Sequence, residues 1–421
     1  MTVALALSAR LRRVCRVNPQ PDGFDRIPDD EELTFLPLEA IWPSALDTSR
    51  SRPKAEVASG YTRFMEGDVL VPKITPTFEA SRSVIATGLK GSVGCGTTEL
   101  HILRPGPALD RRYLLYVTHS RPFLHRGAAN MQGVAGQKRV PESFVADFEV
   151  RLPPVGEQRA IADFLDRETA RIDAIVLLKR KLRDLVAARL VEEVRADVTG
   201  ASSPVDDGRR TPWLGPVNQD WPVVPLGRLV RFFSGTTFPP DYQGRIEGDH
   251  PFVKVADLAA GDGVWVKDAQ NWVSLDVVSA LGARIVPEGS ILYPRVGAAL
   301  LLNQRRIAAR DMIVDDNLRG VQFARGEPMY WRSVLSLLDL AQFATPGLVP
   351  SIGEDAVASI PVPSPSDEEQ RTIAATLEER RAKYSALLEG LRKQLAGLLE
   401  RRQSLITAAV TGQVGVTVGD S

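Results

Sequence analysis

Residues 152–162 read Leu152-Pro153-Pro154-Val155-Gly156-Glu157-Gln158-Arg159-Ala160-Ile161-Ala162, and residues 364–374 read Ser364-Pro365-Ser366-Asp367-Glu368-Glu369-Gln370-Arg371-Thr372-Ile373-Ala374. The Glu-Gln-Arg triplets lie 212 residues apart. The same step carries Val140 onto Ile352, Glu142 onto Glu354 and Pro153 onto Pro365. It also carries Arg180-Lys181 onto Arg392-Lys393, and Val198-Thr199-Gly200 onto Val410-Thr411-Gly412. Further upstream, Glu66–Lys73 resembles Glu288–Arg295 at a step of 222, so a ten-residue change of loop length falls inside the globular part. Copies of about 210 residues are far larger than the units of a solenoid, and a tandem duplication of domain plus helix follows.

Working outward, each copy begins as a turn-rich, mixed segment. Asp68–Val71, Ser83–Ala86, Glu99–Leu103, Ser290–Tyr293 and Met312–Val314 are short apolar runs broken by Gly and Pro, which predicts strands. Arg112–Ser120 and Tyr330–Phe343 read as helices among them. Each copy then ends in a long helix. Prolines 153–154 and 363/365 stop the preceding strand, and Ser366 or Asp367 can cap the second helix. From Glu157 to Asp197 there is neither proline nor glycine; from Asp367 to Ala409 only Gly390 and Gly397 intervene. Leu377, Tyr384, Leu388, Leu391, Leu395, Leu398 and Leu405 follow steps of three and four, with Arg381 and Arg402 interrupting the series, and Ile175, Leu178, Leu182 and Leu185 show the same spacing in the first helix. That is the spacing of a heptad seam. About 40 residues at 1.5 Å rise give a rod of roughly 60 Å, and two such rods most simply pack on each other.

The bulk properties agree with a multidomain globular chain of 421 residues, 44% hydrophobic and 25% charged. No apolar run reaches the roughly 18 residues that span a bilayer, and Met1–Leu11 lacks the features of a signal peptide. Cys15 and Cys95 stand alone, which suggests neither disulfide nor zinc site and fits a reducing cytoplasm. The zero net charge, 52 basic against 52 acidic residues, hides local basic stretches. Gly60–Val140 carries 11 Lys and Arg against 5 Asp and Glu, and Arg284–Arg332 carries 8 against 5. Such patches are what a polyanion meets at short range.

This layout resembles the specificity subunits of type I restriction–modification systems over essentially the whole chain. The family pattern is recognition domain, spacer helix, recognition domain, spacer helix. Its fingerprint is a strand ending in Pro-Pro, then Glu-Gln, an Ile-Ala helix start and a Thr-Gly helix end. It is matched here by Pro153–Ala162 with Val198-Thr199-Gly200, and again by Pro363–Ala374 with Val410-Thr411-Gly412. Trp221-Pro222 to Gly227, followed by Ser234-Gly235-Thr236-Thr237, looks like the lead-in to a recognition domain. The first copy lacks that Trp-Pro and starts near Leu11.

The resemblance implies an α/β (α+β) fold: two target-recognition domains separated by two long antiparallel coiled-coil helices, as a pseudo-twofold repeat. The expected divisions are domain 1 at 1–156, spacer at 157–200, domain 2 at 201–366, second spacer at 367–412 and tail at 413–421. It implies a subunit without a catalytic centre or cofactor that reads a bipartite, asymmetric site on double-stranded DNA. Two methyltransferase subunits and endonuclease/translocase subunits would be its partners. Long basic and amide side chains on turns suit contacts to bases and phosphates. The candidates are Lys73, Arg82, Gln137, Lys138 and Arg139 in the first domain. In the second they are Thr236, Thr237, Arg295, Asn303, Gln304, Arg305 and Arg306. Lys73 and Arg295 follow matching strands.

Catalytic readings meet specific obstacles. Gly91–Thr98 has phosphate-loop spacing, but Thr97 stands where the phosphate-gripping Lys belongs, so a turn is expected. Phe238-Pro239-Pro240-Asp241-Tyr242 lacks the polar first residue of an adenine-methyltransferase loop. The four histidines form no metal motif. Glu157 and Glu369 sit at helix starts, where an acid stabilises exposed backbone N–H groups, so a structural role is expected of both triplets. The competing classes are a catalytic DNA-modification enzyme and a coiled-coil scaffold that binds no DNA.

Overall fold

The computed structural model describes residues 7–43, 45–134, 136–200, 209–345, 347 and 349–415. The first six residues of the expected domain 1, the start of domain 2 at 201–208 and the tail beyond 415 lie outside the described residues. The chain divides into two compact units, Met1–Arg180 with Arg392–Ser421, and Lys181–Leu391. Each unit thus holds one globular domain and a segment of each long helix.

In the first unit the strands are β1 (Leu7–Arg10), β2 (Cys15–Val17), β3 (Glu32–Leu36), β4 (Ser51–Pro53), β5 (Thr62–Met65), β6 (Val69–Pro72), β7 (Val84–Ile85), β8 (Val93–Gly96) and β9 (Leu100–Pro105). Helices α1 (Arg111–His119) and α2 (Arg121–Ala129), strand β10 (Glu149–Leu152) and the long helix α3 (Val155–Thr199) follow. Two four-stranded sheets, ordered β4-β3-β8-β5 and β2-β9-β6-β7, carry the domain, while β1 pairs with β10. The glycine-rich 93–96 segment is a strand, not a loop. A Cβ on Gly94 would meet Phe64 at 2.3 Å and one on Gly96 the Leu36 carbonyl at 2.4 Å, which accounts for both glycines by packing.

The second unit carries β11 (Val223–Pro225), β12 (Val230–Ser234), β13 (His250–Val253), β14 (Trp265–Val266), β15 (Asn271–Val273), β16 (Ile291–Pro294), β17 (Arg306–Ala308), β18 (Ile313–Val314) and β19 (Leu318–Phe323). Then come α4 (Pro328–Leu337), β20 (Pro361–Pro363) and the second long helix α5 (Asp367–Thr411). Its sheets are β12-β19-β16-β17-β14, β15-β13-β18 and β11-β20. The strands expected from apolar runs all appear within a residue or two. Strand β1 pairs with β10 as β11 pairs with β20, Ser8 opposite Arg151 and Val223 opposite Pro363. The first domain therefore keeps the lead-in strand without the Trp-Pro sequence.

The repeated motif residues turn out to be ties between helix and domain. Gln158 is fully buried; its amide donates to the Ala108 and Pro153 carbonyls at 2.9 and 2.7 Å and accepts from the Asp110 N–H at 2.8 Å. Gln370 repeats this on the Pro365 carbonyl at 2.9 Å and the Glu327 N–H at 3.2 Å. Glu369 and Ser366 form a reciprocal capping box, so α5 starts as its sequence requires. At the other helix ends, Gly200 and Gly412 take φ of +69° and +79°, a left-handed cap that favours glycine. Tyr113 points its hydroxyl at the Arg151 and Val410 carbonyls, and Tyr330 points its own at those of Pro363 and Val198. Within each unit, the end of one long helix is thereby bound to the domain that precedes the other.

In both units the long helices run antiparallel. In the first, Asp173 meets Arg402 at 2.9 Å and Lys179 meets Gln394 at 2.7 Å; in the second, Arg380 meets Asp197 at 2.6 Å and also pairs with Glu193. The buried stripe of α3 in the first unit is Ile161, Leu165, Ile172 and Val176. The stripe expected from Ile175, Leu178, Leu182 and Leu185 is not the seam: the three leucines are 65%, 46% and 68% exposed. Both stripes have helical spacing, and the one that packs is set by the facing helix. Among the described residues no helix is long and apolar enough to cross a membrane.

His119 closes the core between α1 and β7. It is buried, its Nε2 donates to the Ser83 carbonyl at 2.9 Å, and burial pushes its pKa down to about 4. The ring is neutral in the fold but titrates near 6.5 in the unfolded chain. The stability this provides is present above pH 6.5 and lost as the pH falls toward 4, by about 3 kcal/mol in all. Urea unfolding of the first unit's core at pH 7 and pH 5 should show a steeper loss for the wild type than for His119→Asn; equal slopes would contradict this.

Candidate nucleic-acid interface

In the first unit, Lys73 emerges directly after β6, half-buried. Its backbone N–H donates to the Glu99 carbonyl at 2.9 Å and its carbonyl accepts from Val140 at 2.8 Å. Gln137, Lys138 and Arg139 are exposed on the segment that pairs back onto this turn, Arg139 opposite Ile74. The Arg139 fork grips the Glu99 carboxylate, Nε to Oε2 at 2.9 Å and Nη2 to Oε1 at 2.8 Å, and holds that carboxyl below its usual pKa. Lys73, Lys138 and Arg139 thus converge, with Gln137 beside them. Arg82 has a different partner: its guanidinium lies 3.8 Å over the half-exposed ring of Trp42.

In the second unit, Thr236, Thr237 and Arg295 converge on the turn Asp315–Asn317. Thr236 pairs with Asp315, the Thr237 hydroxyl donates to the Asp316 carboxylate at 3.2 Å, and Arg295 Nε donates to the Asp316 carbonyl at 2.7 Å. Asn303, Gln304, Arg305 and Arg306 form a separate group against α4. Asn303 donates to the Ser336 carbonyl at 3.0 Å. Arg305, expected at the DNA surface, is a core residue: it is 2% exposed and bonded to Asn303 and to the carbonyls of Gln304 and Leu338. Burial pushes its pKa down to about 10. Its position explains the inward aim, since Ser83, the matching residue before β7, is also buried. Arg306 is half-buried and donates to the Arg305 carbonyl at 3.0 Å.

The two convergent turns are the same construction. Lys73 N–H to Glu99 corresponds to Arg295 N–H to Asn317, both 2.9 Å; Val140 N–H to Lys73 corresponds to Ile352 N–H to Arg295, at 2.8 and 2.9 Å. Thr75 N–H to Lys138 corresponds to Gly297 N–H to Pro350, at 3.0 and 2.8 Å. The pairs Ile74–Arg139 and Gln132–Arg139 recur as Val296–Ser351 and Thr345–Ser351. The sheet register extends the match, with Val71 opposite His101 and Tyr293 opposite Arg319. A matching backbone therefore places Lys73, Glu99 and Arg139 at this turn in one unit, with His101 buried beneath it, and Arg295, Asn317, Arg319 and Ser351 in the other. Glu99, His101, Asn317, Arg319 and Ser351 were not among the sequence candidates. The signal was a step of 218 between Glu99 and Asn317, intermediate between the 222 and 212 of the flanking motifs.

Of the remaining motifs, Phe238 is taken up by stacking on Phe252 at 3.7 Å between ring centroids. Cys15 and Cys95 are free, buried thiols, pushed up by burial to about 12 and about 11.

No protein-family model matches the chain. The type I restriction enzyme EcoAI specificity subunit of Escherichia coli is 41% identical over 155 residues, 36% of this chain and 26% of that protein. The EcoEI specificity subunit of Escherichia coli is 37% identical over 198 residues, 46% of this chain and 32% of that protein. The matches therefore span a third or less of those relatives' own length. Among solved structures, a chain from work on complex assembly and conformational transition of the type I R-M system superposes with a TM-score of 0.71 at 17% identity, covering 97% of this chain and 98% of that one. The HsdS subunit from Thermoanaerobacter tengcongensis gives a TM-score of 0.53 at 18% identity, covering 97% of each. At these identities the structural likeness is one of fold, and it joins the mixed α/β architecture seen here. Over part of its length the chain is similar in sequence to the specificity subunits of type I restriction enzymes, and over nearly all of it its fold is similar to that of the HsdS subunit and its type I R-M counterpart.

Proposed function

We propose that this chain is the DNA-reading specificity subunit of a type I restriction–modification complex, acting in the cytoplasm and performing no catalysis itself. The observation that supports this best is the duplicated turn: one backbone, two different sets of hydrogen-bonding side chains. Such a pair suits a bipartite, asymmetric target on double-stranded DNA, one part per recognition domain. Lys73, Gln137, Lys138 and Arg139 would face one part, and Thr236, Thr237 and Arg295 the other. Arg82, stacked on Trp42, would lie beside the first set, while Asn303, Gln304 and Arg306 would support the second domain from within. Domain divisions at 1–156, 157–200, 201–366 and 367–412, with a tail after them, remain the working description of the parts. The exposed Leu182 and Leu185 would offer a docking face to a methyltransferase subunit, of which two are expected, and endonuclease/translocase subunits would join that assembly.

The test is duplex selection with the purified chain and its methyltransferase subunit. The proposal expects enrichment of two separated, unlike half-sites, with affinity falling steeply as salt rises. Enrichment of a single contiguous site, or binding independent of salt, would contradict it.

A further inference from the structure

Arg295 and Arg319 lie on one face of the second unit's sheet. Tyr293 stands opposite Arg319, and Arg295 lies two residues beyond Tyr293, so the Arg295 and Arg319 side chains share a side. Each guanidinium spends a donor on backbone only: Arg295 Nε on the Asp316 carbonyl at 2.7 Å, Arg319 Nη1 on the Leu318 carbonyl at 3.2 Å. Among the described residues neither forms an ion pair, although Glu354 and Asp316 act on Arg319 from further away. Both are half-buried, and the Arg319 pKa is lowered by burial and by the charge of Arg295.

The equivalent place in the first unit is closed. His101, which matches Arg319, is buried, with Nε2 on the Val140 carbonyl at 2.9 Å and Nδ1 at 3.4 Å from the Asn18 amide. Burial holds its pKa below the usual value, and Arg139 is already satisfied by Glu99. One copy of the scaffold thus carries a neutral imidazole and an internal ion pair. The other carries two like charges whose remaining donors meet no side-chain acceptor among the described residues. Partly desolvated like charges are costly to hold together until an acceptor reaches them.

We infer that the Arg295–Arg319 pair is the second domain's acceptor-binding subsite, taking either the N7/O6 edge of a guanine or a backbone phosphate oxygen, and that the first domain has no such subsite. This rests on the DNA-reading role proposed above. Bidentate guanidinium contacts suit both acceptors.

The experiment uses the full chain with its methyltransferase subunit on the duplex it selects, comparing wild type with Arg319→Gln, Arg319→Lys and His101→Gln. Arg319→Gln should weaken binding about tenfold or more, whereas His101→Gln should leave the bound sequence unchanged. If the acceptor is a guanine edge, Arg319→Gln relaxes selection at one position of one half-site, and Arg319→Lys fails to restore it. If it is a phosphate, affinity falls equally on all sequences, the salt slope drops by about one, and Arg319→Lys restores most of it. A wild-type complex that selects a two-part duplex, with Arg319→Gln unchanged in affinity, sequence and salt slope, would overturn the subsite alone. A wild type that selects no duplex would overturn the DNA-reading role with it.

Discussion

Gln158→Leu is expected to destabilise the first unit by about 4 kcal/mol, although the substitution is nearly isosteric and adds apolar surface. Three backbone groups lose their partners: the buried Pro153 carbonyl and the partly buried Asp110 N–H and Ala108 carbonyl. An unsatisfied buried group costs roughly 1–3 kcal/mol, whereas the leucine regains only part of that by packing. The neighbouring Glu157→Ala is the control. It removes a half-exposed ion pair to Arg151 at 2.7 Å, for which about 1 kcal/mol or less is expected. Gln370→Leu should fall between them, with two bonds lost rather than three. Urea unfolding of the three variants checks the ranking, and a Gln158→Leu cost no larger than that of Glu157→Ala would contradict it. The prediction also separates a structural Glu-Gln motif from a catalytic one: the glutamine, not the glutamate, is the residue the fold depends on.

The second large effect concerns assembly. Leu182→Glu combined with Leu185→Glu should leave folding intact, because both side chains are already solvent-facing at 46% and 68% exposure. Binding of a methyltransferase subunit should nevertheless weaken at least about 100-fold. Two charges would then be desolvated in an interface that otherwise gains from leucine burial, and each such loss is of order 1–3 kcal/mol. Size-exclusion co-elution and titration calorimetry read this directly. Unchanged affinity with an unchanged melting transition would remove this stripe from the docking face.

The duplication, the helix boundaries and most strands were legible because they depend on local chemistry. Prolines end β10 and β20, Ser366 with Glu369 caps α5, and glycines at 200 and 412 close the long helices. The packed face of α3 was not legible. Ile172 and Val176 carry the same spacing as Leu178, Leu182 and Leu185, and only the facing helix selects between them. Arg305 was misplaced for a related reason: beside a strand, one residue of register separates a core side chain from a surface one. Glu99 and Arg319 escaped notice because their partners come from segments far along the chain. Arg139 reaches Glu99 across 40 residues of sequence, and Arg319 gains meaning only beside Arg295. A step that drifts from 222 through 218 to 212 conceals such equivalences until the hydrogen bonds of the two units are laid side by side.

Genome-wide methylation mapping tests the central claim most directly, in a host expressing this chain with its methyltransferase subunit and in the same host lacking the chain. The account predicts a split, asymmetric motif methylated only when the chain is present, with changes at Lys73 altering one half and changes at Arg295 the other. Methylation of the same motif with and without the chain would contradict it.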